Sequence, residues 1–201
     1  IAAFESSPVF NRFTSKFDYY LAGKTTLSAQ ELKGLKLFEG DKSKCSACHV
    51  SEATVGADGR KRPPLFTDFT YDNLGLPRNV NIPGNPKPDP GLAVDSQLPG
   101  KPAAANERGK HKVMGLRNIA ITAPYGHNGV YPTLVDVLES YHNIDHHIEV
   151  DPLLQEDDVD VEVAHGQGDD MLAFLEALSD GTFDATIPER VPSGLPPGGA
   201  R

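Results

Sequence analysis

Cysteine is scarce in this chain, tryptophan is absent and methionine occurs twice in 201 residues. No apolar run approaches the roughly 18 residues that a membrane-spanning helix needs. A basic excess is lacking too: 19 Lys and Arg face 28 Asp and Glu, a net charge of −9 with His neutral. That balance argues against nucleic acid as a partner and suits solubility or docking to basic patches. Hydrophobic residues make up 38%, less than the usual soluble average, so a bulky apolar cofactor would add to the core. The start, Ile1-Ala2-Ala3-Phe4-Glu5, lacks the charged n-region and apolar stretch of a signal peptide. The expectation is that a leader was removed or that the chain begins partway through a longer precursor.

Both cysteines fall within one pentapeptide, Cys45-Ser46-Ala47-Cys48-His49. This arrangement reads as a c-type haem attachment site. Each cysteine can form a thioether to a haem vinyl group, and the adjacent histidine can place a ring nitrogen on the iron. Three other readings compete. A disulfide would use the same cysteines but gives His49 no role. A thioredoxin-like pair needs a βαβ context, whereas the flanks here look helical. A zinc site needs two further ligands; His142 and His146 have a suitable spacing but lie over ninety residues downstream.

Elsewhere the pattern is helical. Phe4, Val9, Phe10, Phe13, Phe17, Tyr20 and Leu21 recur near helical spacing up to about Ala22, with Pro8 starting or breaking a helix. Ser28 and Glu31 form a capping-box pattern ahead of Leu32, Leu35, Leu37 and Phe38, and Gly40 is a plausible stop. Thr133 and Asp136 can cap a helix through Leu134, Val135, Val137, Leu138 and Tyr141. A last helix fits residues 169–179, where Met171, Leu172, Phe174, Leu175 and Leu178 form a face, and Asp169 and Asp170 suit its positive end.

Residues 56–110 hold nine of the seventeen prolines and little periodicity. A loop that long is unusual unless it wraps something. Phe66, Phe69, Tyr71, Leu74 and Leu76 favour wrapping, and residues 81–100 are the candidate mobile part. No internal repeat and no alternating strand pattern is visible. The expected class is all-α, a cytochrome c-like haem domain with long irregular loops. It forms one domain over 1–201, with an N-terminal helical segment (1–22), a Pro/Gly-rich insertion (78–106) and an extended tail (187–201).

Several stretches together carry a family resemblance. They are Tyr20-Leu21-Ala22-Gly23, Leu27–Glu31, the Cys45–His49 motif, Phe66-Thr67-Asp68-Phe69 and Asp72-Asn73-Leu74-Gly75-Leu76-Pro77. The densest runs from Lys112 through Met114-Gly115-Leu116-Arg117-Asn118 to Ala123-Pro124-Tyr125-Gly126-His127-Asn128-Gly129. Thr133-Leu134, Tyr141-His142-Asn143, Asp151–Leu154 and Leu172–Leu178 complete the set. In this order they resemble the C-terminal haem domain of bacterial dihaem cytochrome c peroxidases and their MauG-like relatives. The family pairs two cytochrome c domains, each with its own Cys-x-x-Cys-His. The N-terminal one carries the peroxide-reacting haem, the C-terminal one feeds it electrons, and a Trp bridges them. This chain has one such motif and no Trp.

The resemblance implies site residues. The peroxidases use a Met at the end of the helix that begins Thr-Leu; here that position is Tyr141, as in MauG-like proteins, which use a tyrosine as axial ligand. A phenolate favours ferric iron, so the expected reduction potential is low. The plain alternative is that Tyr141 packs on its helix with its hydroxyl bonded elsewhere, and Met114 is the rival ligand. His142, His146 and His147 read as solvated. Arg117 can pair a haem propionate bidentately or be an ordinary surface or helix-capping arginine. By resemblance His127 lies near the haem and bonds a propionate. Phe66 and Leu76 read as haem-packing or simple core residues. The family's calcium would take the carbonyls of Thr122 and Pro124. The acidic run Glu156–Asp160 lacks a calcium-loop pattern and reads as a solvated helix start.

The leading expectation is electron transfer by one covalent haem c, as a monohaem cytochrome or as the electron-entry domain of a dihaem protein. Its partner would be a small redox protein, a cytochrome or copper protein, and its compartment periplasmic or otherwise extracytoplasmic. The alternative is a peroxidase or MauG-like oxidase acting with a second haem domain or chain.

Overall fold

The computed structural model describes residues 1–5, 12–84, 89–94, 107–141, 166–181 and 190. The expectations for residues 142–165, including His142, His146, His147 and the acidic run, lie outside the described residues, as do those for most of the tail and for 85–88 and 95–106 of the insertion.

Six helices carry the fold: α1 (Ala2–Glu5), α2 (Lys16–Leu21), α3 (Ala29–Phe38), α4 (Cys45–Cys48), α5 (Leu134–Ser140) and α6 (Gly168–Glu176). Three of them start on complete capping boxes, in which a Ser or Thr hydroxyl accepts from the third helical N–H and the acid there accepts from the cap's own N–H. The expected pairs Ser28–Glu31 and Thr133–Asp136 are both made. A third, Ser15–Asp18, opens α2. Thr14 and Ser15 are tied elsewhere and α2 begins only at Lys16, so the helical pattern up to Ala22 is not one continuous helix; Pro8, expected to start or break a helix, lies outside the described residues.

α3 and α6 form the central pair. They meet at Gly34, where a Cβ would stand 1.9 Å from the Asp170 carbonyl oxygen and 2.7 Å from Phe174 Cβ. Only glycine lets the two backbones approach this closely. Around the contact, Phe17, Phe38, Phe66 and Phe174 form one aromatic cluster with ring centroids 5.2–6.3 Å apart. Met171 and Leu178 complete its fully buried part.

The fold is mostly helical, as expected, with two small antiparallel sheets among the described residues: β1 (Thr54–Val55) with β2 (Lys61–Arg62), and β3 (Tyr71–Asp72) with β4 (His111–Lys112). Each strand is two residues long, too short to leave an alternating signature in the sequence. The β3–β4 pair matters most for the site. It closes the long proline-rich excursion by pairing Asp72 with His111 and Tyr71 with Lys112. Among the described residues no helix is long and apolar enough to cross a membrane.

Asp180 fastens both ends of the chain's core. Its carboxylate accepts from the Thr14 N–H at 2.8 Å and from Asn118 Nδ2 at 3.2 Å, and its N–H donates to Asn118 Oδ1 at 2.8 Å. The segment after β4 is thus held against the start of α2 and the end of α6.

Candidate functional site

α4 is a single turn, and this explains the spacing of its cysteines. Residues three apart on a helix lie on one face, so Cys45 and Cys48 present both sulfurs to the same side. His49 is the C-cap, its N–H donating to the Cys45 carbonyl at 2.8 Å as the chain leaves the turn. Lys44 starts the turn in the left-handed region, at φ 48°. Both cysteines stand as thiols. Burial pushes the Cys45 thiol up; burial, then the Asp72 and Asp68 carboxylates, push Cys48 up to about 11.

His49 has its ring orientation settled by a distant residue. Its Nδ1 lies 2.9 Å from the Phe66 carbonyl oxygen. An acceptor there requires Nδ1 to carry the proton, which leaves the Nε2 lone pair free to bind a metal. Burial lowers the pKa, opposed by the Phe66 and Met114 carbonyls, so the ring is neutral near pH 7.

The turn opens onto a cavity of about 800 Å³. Cys45, Cys48 and His49 line it together with Leu76, Met114, Arg117, His127, Tyr141, Thr122 and Pro124. Ten of the eleven residues singled out from the sequence therefore line one cavity. Tyr141 caps the C-terminal end of α5. Burial raises its phenol pKa well above the ordinary value of 10, with further contributions from Cys45, Cys48 and Tyr131, which places it beside the attachment cysteines. Met114 keeps its side chain 63% exposed, and its backbone adjoins the His49 ring.

Phe66 is the exception. Its side chain is fully buried in the aromatic cluster, packed on Phe17, Phe38 and Phe174, and is not part of the cavity wall. The backbone at φ 56° turns the ring into the core while its carbonyl faces His49. Of its two expected places Phe66 takes the core one, and its carbonyl orients His49.

Arg117 lines the cavity, but its guanidinium is engaged within the protein. Its guanidinium does pair a carboxylate bidentately, but the carboxylate is Asp18, at 2.8 and 2.9 Å. Nε donates to the Pro64 carbonyl at 2.8 Å, and the group lies 4.4 Å from the centre of the Phe13 ring. The fork that would have held a propionate is occupied within the protein.

His127 stacks on His111 with ring centroids 3.5 Å apart and planes within 7°. Burial and the facing His111 lower its pKa to about 4, while burial lowers that of His111. His111, Asp89 and Asp72 are functional candidates that the sequence reading passed over. The signal for His111 was its place at the edge of the densest matching stretch. Nothing local marked Asp89, which lies in the proline-rich insertion, or Asp72, whose Oδ2 accepts from Cys48 Sγ at 3.6 Å.

A haem fits this donor set. Two thiols on one face of a turn, an imidazole with Nε2 free and a buried phenol open onto one cavity within the size range of cofactor sites. No metal-bridging or disulfide partner is needed to account for the pentapeptide.

No family model matches the chain. It is similar to the methylamine utilization protein MauG of Paracoccus denitrificans, 28% identical over 212 residues, covering 94% of this chain and 52% of that protein. It is also similar to the cytochrome c peroxidase Ccp of Escherichia coli, 31% identical over 168 residues, covering 82% of this chain and 29% of the relative. Among solved structures it resembles a variant of the diheme peroxidase BthA from Burkholderia thailandensis. That match has a TM-score of 0.74 and 29% identity, over 87% of this chain and 48% of the other. The chain spans about half or less of the length of these relatives.

Proposed function

This chain belongs to the dihaem cytochrome c peroxidase and MauG family, and from that premise we propose that it is a covalent haem c domain serving a peroxidase- or MauG-like oxidoreductase that has a second haem. The relatives' names favour the enzymatic alternative over the leading expectation of electron transfer by a monohaem cytochrome or by the electron-entry domain of a dihaem protein. The observation that carries the proposal is the His49 ring, held by the Phe66 carbonyl with Nε2 free, in the cavity that both cysteines and Tyr141 also line.

When bound, the haem supplies a one-electron Fe(III)/Fe(II) couple. Cys45 and Cys48 would tether it through two thioethers, and His49, through Nε2, and Tyr141, through its phenol oxygen, would hold the iron. Met114 is the weaker candidate because its backbone adjoins the His49 ring and its side chain stays largely exposed. Leu76 supplies apolar wall and limits water. Were His49 and Tyr141 both to hold the iron, peroxide chemistry would fall to the other haem and this domain would relay electrons. The donor is a small redox protein, a cytochrome or copper protein, in an extracytoplasmic compartment. The carbonyls of Thr122 and Pro124 would contribute to a calcium site only together with the second domain.

The intact mass and absorption spectrum of the native protein test the proposal. One haem attached to this segment through two thioethers is expected, with a second haem elsewhere in the native protein; a mass without attached haem would overturn it. Tyr141→Phe tests the second axial donor. The ferric spectrum should lose its phenolate charge-transfer features and the potential should rise; an unchanged ferric spectrum removes Tyr141 from the iron.

A further inference from the structure

We propose that Asp89, His111 and His127 form a binding site for a divalent transition metal, separate from the iron and placed at the edge of the same cavity. One carboxylate and two imidazoles, from three segments of the chain, bring their ligand atoms within 4.8 Å of one another. Two nitrogens and one oxygen suit Zn²⁺ and its first-row neighbours, whereas calcium prefers oxygen alone.

The juxtaposition is built by backbone contacts. Asp89 precedes a short 3₁₀ turn, Gly91–Val94. That turn is tied to the segment before β4, through Leu92 N–H to the Lys110 carbonyl at 3.0 Å and Gly109 N–H to the Pro90 carbonyl at 2.9 Å. At Gly91, φ is +58° and a Cβ would stand 2.3 Å from the Lys110 carbonyl oxygen, so the approach depends on glycine. His111 is fixed in β4 by pairing with Asp72. His127 sits in a turn whose next residue donates from Asn128 Nδ2 to the Pro77 carbonyl at 2.8 Å.

The spacing suits a shared ion. Zn–N bonds of 2.0–2.1 Å at a tetrahedral angle separate two ring nitrogens by about 3.3 Å. The two rings here lie 3.5 Å apart. Their planes are nearly parallel, so as stacked the lone pairs run side by side, and each ring must turn about its Cβ–Cγ bond out of the stack for the two to converge on one ion. Asp89 gives one carboxylate oxygen to the Gly91 N–H at 2.9 Å and keeps the other for a ligand. Asp89 and His127 are both solvent-exposed, which gives an ion a route in.

The test is Zn²⁺ binding to the native haem-loaded protein, followed by calorimetry and by the zinc retained after dialysis. One Zn²⁺ per chain is expected, undisplaced by excess Ca²⁺. Asp89→Asn, His111→Gln and His127→Gln should each weaken binding more than about tenfold. Asp89 is exposed, so its variant keeps the proposal testable even if a histidine variant folds poorly. The double variant His142→Gln with His146→Gln should bind as the parent does. Loss of binding in that double variant, or full binding in Asp89→Asn, overturns the site. Absence of Zn²⁺ binding to the haem-loaded protein overturns it too, and leaves the two rings to the haem's own carboxylates.

Discussion

Phe66 works through two parts of one residue. Its ring fills the core, 0% exposed, while its carbonyl holds the proton of His49 Nδ1 at 2.9 Å. A side-chain substitution therefore separates the two roles. Phe66→Leu should lower stability by about 1–3 kcal/mol, measured by chemical denaturation, and leave the haem absorption bands in place. Leu76→Ala should do the reverse: a smaller stability loss, with shifted bands and an altered potential, because Leu76 lines the cavity. Shifted bands in Phe66→Leu would restore it to the haem wall. At His49 a similar economy holds, since one backbone acceptor is enough to choose the tautomer.

Among the elements, α3 and α6 set the frame that delivers the attachment turn. α3 ends at Phe38, and after six intervening residues α4 begins at Cys45. Gly34→Ala isolates the helix contact, because two effects predict opposite signs. By helix propensity alone, Gly to Ala should stabilise by roughly 1 kcal/mol. By packing, the new Cβ would overlap the Asp170 carbonyl oxygen and crowd Phe174, and overpacking costs about 1–3 kcal/mol or more. The overlap is with backbone, which cannot swing aside, so the expected result is a lower Tm. A raised Tm would mean that the two helices are not in backbone contact. The caps of α3 and α5 were legible in advance because a capping box spans only four residues. The cap of α2 obeys the same rule, but a run of aromatic residues with helical spacing before Ser15 masked it.

Across the whole molecule, the Asp18–Arg117 pair joins α2 to the segment that follows β4. Both side chains are largely buried, 8% and 14% exposed. Burial alone would raise the Asp18 pKa; the Arg117 hydrogen bonds, the Ser15 hydroxyl and the charge of Arg117 outweigh it and hold the carboxyl below 3.8. Because the folded pKa is depressed, this stabilisation is present in full above the unfolded value and is lost as pH falls through the lower folded one. Arg117→Gln should cost roughly 3–5 kcal/mol at pH 7, as expected when one partner of a buried pair is removed. Its deficit against the parent should shrink as pH drops below 3.8. Denaturant titrations at pH 7 and pH 3 check this, and a deficit that is constant with pH would rule out the ion pair as its source.

The chain's local order settled what depends on near neighbours. Cysteines three apart share one face of a turn, a histidine next to them lands at its cap, and Ser or Thr three residues before an acid starts a helix. These features follow from helical geometry and needed no partner. The same holds for the aromatic and leucine positions that became the core faces of α3 and α6. Tertiary packing decided the rest, because it joins residues that no short pattern links. Arg117 was recognisable as a bidentate partner for a carboxylate, yet its acceptor Asp18 is 99 residues away in sequence. His111 and His127 became a stacked pair only when β4 and the turn after Pro124 met across the cavity. Phe66 and His49 are 17 residues apart, and which nitrogen of His49 is left for a metal was decided by where that one carbonyl came to lie.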